Sequence, residues 1–159
     1  MKRVLLLLMA FVLLFSISLP ALADSESLPP LTDLSPNPDY YYGSWSLGIS
    51  PMSTAIAITN ADYSIVKVSA TSVKTSASTT ANQTADMVGG TMYLQKWENN
   101  AWATIKTSSF SDDHVVSHSG SATFTVTSGY YYRLKTTHSA KLDNITVTRT
   151  TYTGGIFIN

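Results

Sequence analysis

The sequence predicts an all-β protein, a single antiparallel β-sandwich of immunoglobulin-like, Greek-key layout. Three observations carry that expectation. No proline occurs from Met52 to Asn159, and proline would interrupt a hydrogen-bonded ladder. Thr, Val, Ser, Ile and Tyr dominate the same stretch, with no apolar stripe at helical spacing. Short runs alternate apolar and polar residues and are separated by turn signals at roughly eight- to twelve-residue intervals, the spacing of a sandwich.

The N-terminus is set aside first. Met1-Lys2-Arg3 precedes an apolar run from Val4 to Leu19, closed by Pro20-Ala21-Leu22-Ala23. The run is shorter than the roughly twenty residues of a membrane-spanning helix. Ala21-x-Ala23 is the small-x-small pattern of a cleavage site. Residues 1–23 are therefore expected as a signal peptide, cleaved after Ala23. Residues 24–43 then form a leader. The stretch 24–39 holds four of the six prolines, several acids and no aromatic, a composition too poor in apolar surface to offset ordering, so it is read as flexible. The domain proper is expected over 44–159.

Within it, Ala122-Thr123-Phe124-Thr125-Val126-Thr127 alternates strictly, placing one face in a core and one in water. In Tyr130-Tyr131-Tyr132-Arg133-Leu134-Lys135, Tyr130, Tyr132 and Leu134 share a face, and Tyr131, Arg133 and Lys135 share the other. Ser128-Gly129 is the turn between these runs. Trp97-Glu98-Asn99-Asn100-Ala101-Trp102 is a hairpin signal, since asparagine tolerates left-handed turn conformations. Its strands are expected near 91–97 and 102–107. Further strands are expected near 53–59, 63–73, 113–118, 144–150 and 155–158. Residues 74–89 are Ser/Thr/Ala-rich and read either as an edge strand plus loop or as a mobile loop. Phe124, Val126 and Gly129-Tyr130-x-Tyr132 are similar to a tyrosine corner, with Tyr130 or Tyr132 bonding back to the upstream backbone.

Composition narrows the function. There is no cysteine, which removes disulfides and the lipid-bearing cysteine of a lipoprotein, and suggests a bacterial, Gram-positive origin. Past Ala23 the chain loses Lys2 and Arg3 and carries a net charge of −2 with no basic cluster. Nucleic acid and anionic membrane surfaces are therefore unexpected partners. No second apolar span follows, so the expected location is extracellular, with retention at the wall as an option.

Catalytic motifs are weak. Asp112-Asp113-His114, His118 and Ser119 hold the residue types of a hydrolytic triad without the G-x-S-x-G turn. His114 and His118 share a strand face, but a metal site would need a third ligand such as His138. Paired carboxylates for glycoside hydrolysis lack a second ordered glutamate, because Glu26 lies in the leader and Glu98 in a turn. No catalytic residue, metal ligand or cofactor is nominated, and the chain reads as a non-enzyme.

The aromatics are the most informative feature. Trp45, Tyr93, Trp97, Trp102 and Tyr131 are the candidate ligand-binding residues, because exposed rings stack on sugars or pack on partner surfaces. The same residues have a structural use: Trp97 and Trp102 as a cross-strand pair, the tyrosines as core or edge cover.

Met92-Tyr93-Leu94-Gln95-Lys96-Trp97, the turn to Trp102-x-x-Ile105, and Gly129-Tyr130-Tyr131-Tyr132-Arg133-Leu134-Lys135-x-x-His138, in that order over roughly 60–158, resemble a family of small exported Gram-positive proteins with an all-β domain of unknown function. Lys141-Leu142-Asp143-Asn144 departs from that outline, in which a Gly-containing turn with an acidic residue is usual. The resemblance implies a secreted all-β domain and transfers no catalytic residue. The expected function is a secreted, non-enzymatic module binding a cell-wall carbohydrate or surface protein. The alternatives are a structural, self-assembling extracellular protein, favoured by low charge and many Thr/Val strands, and an exported toxin-like or signalling protein.

Overall fold

The computed structural model describes residues 27–48 and 54–159; the expected signal peptide and its cleavage site lie outside the described residues. The chain is all-β. After a 3₁₀ turn at Leu31–Asp33 come β1 (Tyr40–Ser46), β2 (Ile58–Ser69), β3 (Ser72–Glu98), β4 (Ala101–Thr125), β5 (Tyr130–Leu142), β6 (Ile145–Tyr152) and β7 (Ile156–Ile158). They form one seven-stranded antiparallel sheet, in the order β1-β2-β3-β5-β6 with β4 on β3 and β7 on β5. The sheet is curled into a half-barrel.

β3 explains the curl. It is 27 residues long and serves two neighbours along one edge. Its first half pairs with β2 and its second half with β5, while β4 follows it along the other edge throughout. The β3–β4 ladder breaks between Thr80 and Ala85, where the partner register moves only from Ser117 to Val115. Extra residues on one strand bend the ladder and strengthen its twist. On β4 the bend falls at His114, whose φ is 57°. The hairpin thus folds over, and β2 touches β5, β6 and β7 across the interior.

Residues 74–89, left open between strand and loop by their composition, lie within this bent strand. Asn82 and Gln83 occupy the bulge and use their amides on the backbone entering β2: Asn82 Oδ1 accepts from the Ala57 N–H at 2.9 Å, Asn82 Nδ2 donates to Ala55 O at 2.8 Å, and Gln83 Nε2 donates to Thr54 O at 3.0 Å. Side-chain amides of this kind satisfy backbone groups that the interrupted ladder leaves open.

The turns follow their residues. Asn99 and Asn100 have φ of 51° and 60° and join β3 to β4, the two-residue turn their sequence predicts. Gly129 has φ 88° between β4 and β5, and Asp143 has φ 53° between β5 and β6.

The core fills the concave side in two clusters. One gathers Ile65, Val73, Met92, Leu94, Phe110, Tyr132, Leu134, Ile156 and Ile158. The other gathers Ile56, Ile58, Ala61, Ala81, Ala85, Val88 and Ala140, with Trp45 packed against it. Phe110 requires glycine beside it. A Cβ on Gly120 would lie 2.4 Å from Phe110 Cβ, and one on Gly90 would lie 3.0 Å from Phe110 Cζ. Tyr132 is buried and makes the back-bond expected of a corner tyrosine. Its hydroxyl donates to Thr127 O at 2.8 Å and accepts from Thr127 N at 3.1 Å.

The segment read as leader differs from that reading in two places. Tyr40–Ser46 is already a strand, paired to β2 from Tyr40↔Val66 to Ser46↔Asn60. Upstream, Ser35 N donates to Gly155 O and Gly155 N to Asp33 O, so residues before β1 lie along the body. Tyr41 stacking on Tyr63 explains the strand, since the rings sit 6.4 Å apart.

Candidate functional site

Parity along the strands decides which aromatics share a face. Met92 and Leu94 on β3, and Tyr132, Leu134 and Thr136 on β5, are buried in the core. Their neighbours Tyr93, Gln95 and Trp97, and Tyr131, Arg133 and Lys135, must then point to the opposite face. Register brings the two rows together: Tyr93 faces Lys135, Gln95 faces Arg133, and Trp97 faces Trp102 on β4. Tyr131 faces Phe157 on β7, and Lys135 faces Tyr152 on β6. One convex face therefore carries four of the five aromatics nominated from the sequence.

The contacts on this face are specific. Trp97 and Trp102 form the cross-strand pair, edge to face at 5.3 Å. The Tyr131 and Phe157 rings lie 4.9 Å apart. Arg133 is central. Its guanidinium lies 4.5 Å from the Trp102 ring centroid and 4.9 Å from that of Tyr152. Its Nε donates to Gln95 Oε1 at 2.8 Å, and Gln95 Nε2 donates to Thr104 Oγ1 at 3.3 Å. Burial pulls the Arg133 pKa below its ordinary value, and the Asp33 carboxylate and Tyr152 pull it back. The group stays charged, as arginine does in proteins. The Lys135 ammonium lies 5.5 Å over the Tyr93 ring. Cation–π contacts of this kind hold a flexible cation in place.

The N-terminal segment runs over the same face. Trp97 Nε1 donates to Ser27 O, and the Ser27 hydroxyl donates to Asn100 Oδ1 at 2.7 Å. Trp102 Nε1 donates to Asp33 Oδ2 at 3.0 Å, and Arg133 Nη1 reaches the same oxygen at 3.4 Å. Trp97 and Trp102 under this segment, and Tyr93 and Tyr131 beside Lys135 and Phe157, are half-buried.

Trp45 stands elsewhere. Its register partner is Ala61, a core residue, and the Arg149 guanidinium of β6 covers its ring at 4.1 Å. The pair bridges β1 and β6 across the open side of the half-barrel.

A second concave feature lies on the outer face of the other half. Ser44, Asp62, Ser64, Ser76, Ser78, Ser119 and Ser121 alternate outward from four adjacent strands and line a trough of about 590 Å³. Tyr42 on its rim is 67% exposed.

The three histidines do not converge. His114 sits at the β4 bend. His118 Nδ1 is 3.7 Å from Asp112 Oδ2, and its ring stacks on Phe110 at 6.2 Å. His138 is wholly buried. Thr79 Oγ1 donates its one proton to Gly89 O at 2.9 Å, so across 2.8 Å it accepts from His138 Nδ1–H. Nε2 is then bare and accepts from Thr151 Oγ1 at 3.0 Å. Burial holds the His138 pKa down at about 4. Among the described residues no cluster of three or more His, Cys, Asp or Glu could hold a metal ion, and no helix is long and apolar enough to cross a membrane.

No family model, curated protein or solved structure matches this chain.

Asp33, Gln95, Arg133, Tyr152 and Phe157 join the candidate face only in the structure. Arg133 carried a signal, since alternation sets it beside Tyr131. Asp33 carried none, because a hundred residues separate it from Arg133.

Proposed function

We propose that this protein is a non-enzymatic binding module whose ligand surface is the convex aromatic face built by Trp97, Trp102, Tyr93, Tyr131 and Arg133, and that it takes a cell-wall glycan. The observation that carries this reading is the presentation of four rings on one sheet face, Trp102 and Tyr93 each beside a cation and Trp97 and Tyr131 each against a second ring, with the N-terminal segment as the cover over Trp97 and Trp102. Rigid rings bring large contact area with little entropy to lose, which suits stacking on sugar rings. A surface protein is the other partner this chemistry would take. Export through the signal peptide, an extracellular location, and membership of the Gram-positive family that the chain resembles are parts of the same proposal. So is the immunoglobulin-like sandwich, with the two halves of the bent β3–β4 hairpin as its facing layers.

The test is a titration of intrinsic tryptophan emission with peptidoglycan fragments, chitooligosaccharides and cello-oligosaccharides. A saturable change, lost in a Trp97→Ala/Trp102→Ala variant that keeps its thermal midpoint, supports the reading. An unchanged spectrum across the panel removes the glycan.

One observation favours the structural, self-assembling alternative. β4 is 25 residues long and, among the described residues, pairs with β3 alone, so its other edge offers a long row of backbone donors and acceptors to a second chain. A toxin-like or signalling role gains no comparable support.

A further inference from the structure

Asp33 is held in a manner that identifies what its place is suited to receive. The seat has two donors: Trp102 Nε1–H at 3.0 Å and the Arg133 Nη1–H at 3.4 Å, both directed to the one oxygen Oδ2. The guanidinium is oriented before any carboxylate arrives, because Gln95 fixes its Nε and the Trp102 and Tyr152 rings flank its plane. Gln95 is itself buried. An arginine so arranged offers a planar fork that a carboxylate can engage through both oxygens. Asp33 engages it through one, and the longer of its two contacts is the one to the cation. The Asp33 main chain is bonded to Gly155, which limits how far its carboxylate can be carried towards the guanidinium. A freely diffusing carboxylate has no such limit.

We propose that the Trp102–Arg133 notch is a carboxylate-binding subsite, that the glycan bound by the aromatic face is one carrying uronic-acid carboxylates, and that Asp33 is its internal competitor. This rests on the glycan-binding reading above. The rings of Trp97 and Trp102 supply the sugar-stacking area, and the notch lies at their edge. Arg133 and Lys135 put positive charge on this face, so an acidic polymer gains along the strand direction and a neutral one does not. The segment that delivers Asp33 also covers Trp97 through Ser27. Displacing it therefore uncovers both the rings and the cation in a single event, and the ligand takes up contacts that the chain was making with itself.

The experiment uses the chain from Asp24 onward, titrated by calorimetry with oligogalacturonate and, as the neutral probe, chitooligosaccharide of the same length. Asp33→Asn keeps the shape of the competitor and removes its charge, and Asp33→Ala removes both. Each should bind oligogalacturonate about twofold to fivefold more tightly than the parent, the scale of one partly exposed ion pair released. Chitooligosaccharide, which gains only from the uncovered rings, should tighten by less than oligogalacturonate in Asp33→Asn. Arg133→Gln should abolish the preference for the acidic oligomer. Equal oligogalacturonate affinity in parent and both Asp33 variants would overturn the proposal. If chitooligosaccharide binds while oligogalacturonate is not preferred, the acidic ligand falls and the glycan reading stands. If neither oligomer binds the parent or the Asp33 variants, both fall.

Discussion

His138 is a neutral histidine by construction. Thr79 accepts from a protonated Nδ1 and Thr151 donates to a bare Nε2, so adding a proton forces the Thr151 hydroxyl to turn from donor to acceptor and places a charge among buried groups. The folded pKa of about 4 lies below the unfolded value of about 6.5, so the unfolded chain binds the proton more readily. The contribution of this group is full above pH 6.5, is lost as pH falls towards 4, and is then level. The total is roughly 3 kcal/mol. Urea midpoints measured at pH 7, 5.5 and 4.5 should fall accordingly, and His138→Gln should flatten the slope across that window while lowering stability throughout. At the same scale, Gly120→Val puts a branched side chain where Phe110 Cβ already stands 2.4 Å from the would-be Cβ. Overpacking of this kind costs about 1–3 kcal/mol, and thermal denaturation should show it. Gly129 has open space around its would-be Cβ, so a substitution there meets strain from its φ of 88° alone.

Elements show how far local rules reach. The Asn99–Asn100 turn was legible because both residues tolerate positive φ, and Asn99→Ala should cost about 1–2 kcal/mol through backbone strain, read as a lower melting temperature with the strands intact. The alternation in 122–127 and 130–135 was legible for the same reason: period two depends only on neighbours. Register between Trp97 and Trp102 followed from the turn. The extent of β3 did not. Lys74 to Gly89 offers small, polar side chains with little contrast between faces, and its buried face is made of Thr75, Ala77, Thr79 and Ala81, residues that propensity reads as surface. Their burial is imposed by β2, β5 and Phe110 arriving from elsewhere in the chain. The bend at Thr80–Ala85 was equally silent, since Asn82 and Gln83 declare their role only once residues 54–57 lie beside them. Of the candidate face, four rings could be placed by alternation and the hairpin. Trp45 could not, because nothing local says that Arg149 will lie on it.

At the scale of the whole molecule, β4 sets the main question of state. Its free edge runs past Val116, which is 43% exposed, with Asp112 and Asp113 nearby as charged interruptions. If this edge recruits a second copy, the elution volume of the protein from Asp24 onward should fall with increasing concentration, and Val116→Lys should restore the monomer position, because a lysine at an exposed edge blocks strand addition. A monomer at every concentration would leave the aromatic face as the functional surface and remove assembly. Salt offers a second global readout. Binding of an acidic oligomer through Arg133 and Lys135 should weaken as ionic strength rises and the Debye length shrinks below about 10 Å, while stacking on a neutral oligomer should hardly respond.

Because one strand, β3, is shared by both halves, neither half exists without the other. Breaking the chain between Asn99 and Asn100 would give two fragments, each holding a single arm of the longest ladder and only part of either apolar cluster. Separately, each would expose more oily surface than it could cover; mixed, they have the whole β3–β4 seam along which to recognise one another. The chain is thus suited to conditional reassembly from two pieces, and unsuited to lending half of itself to another protein.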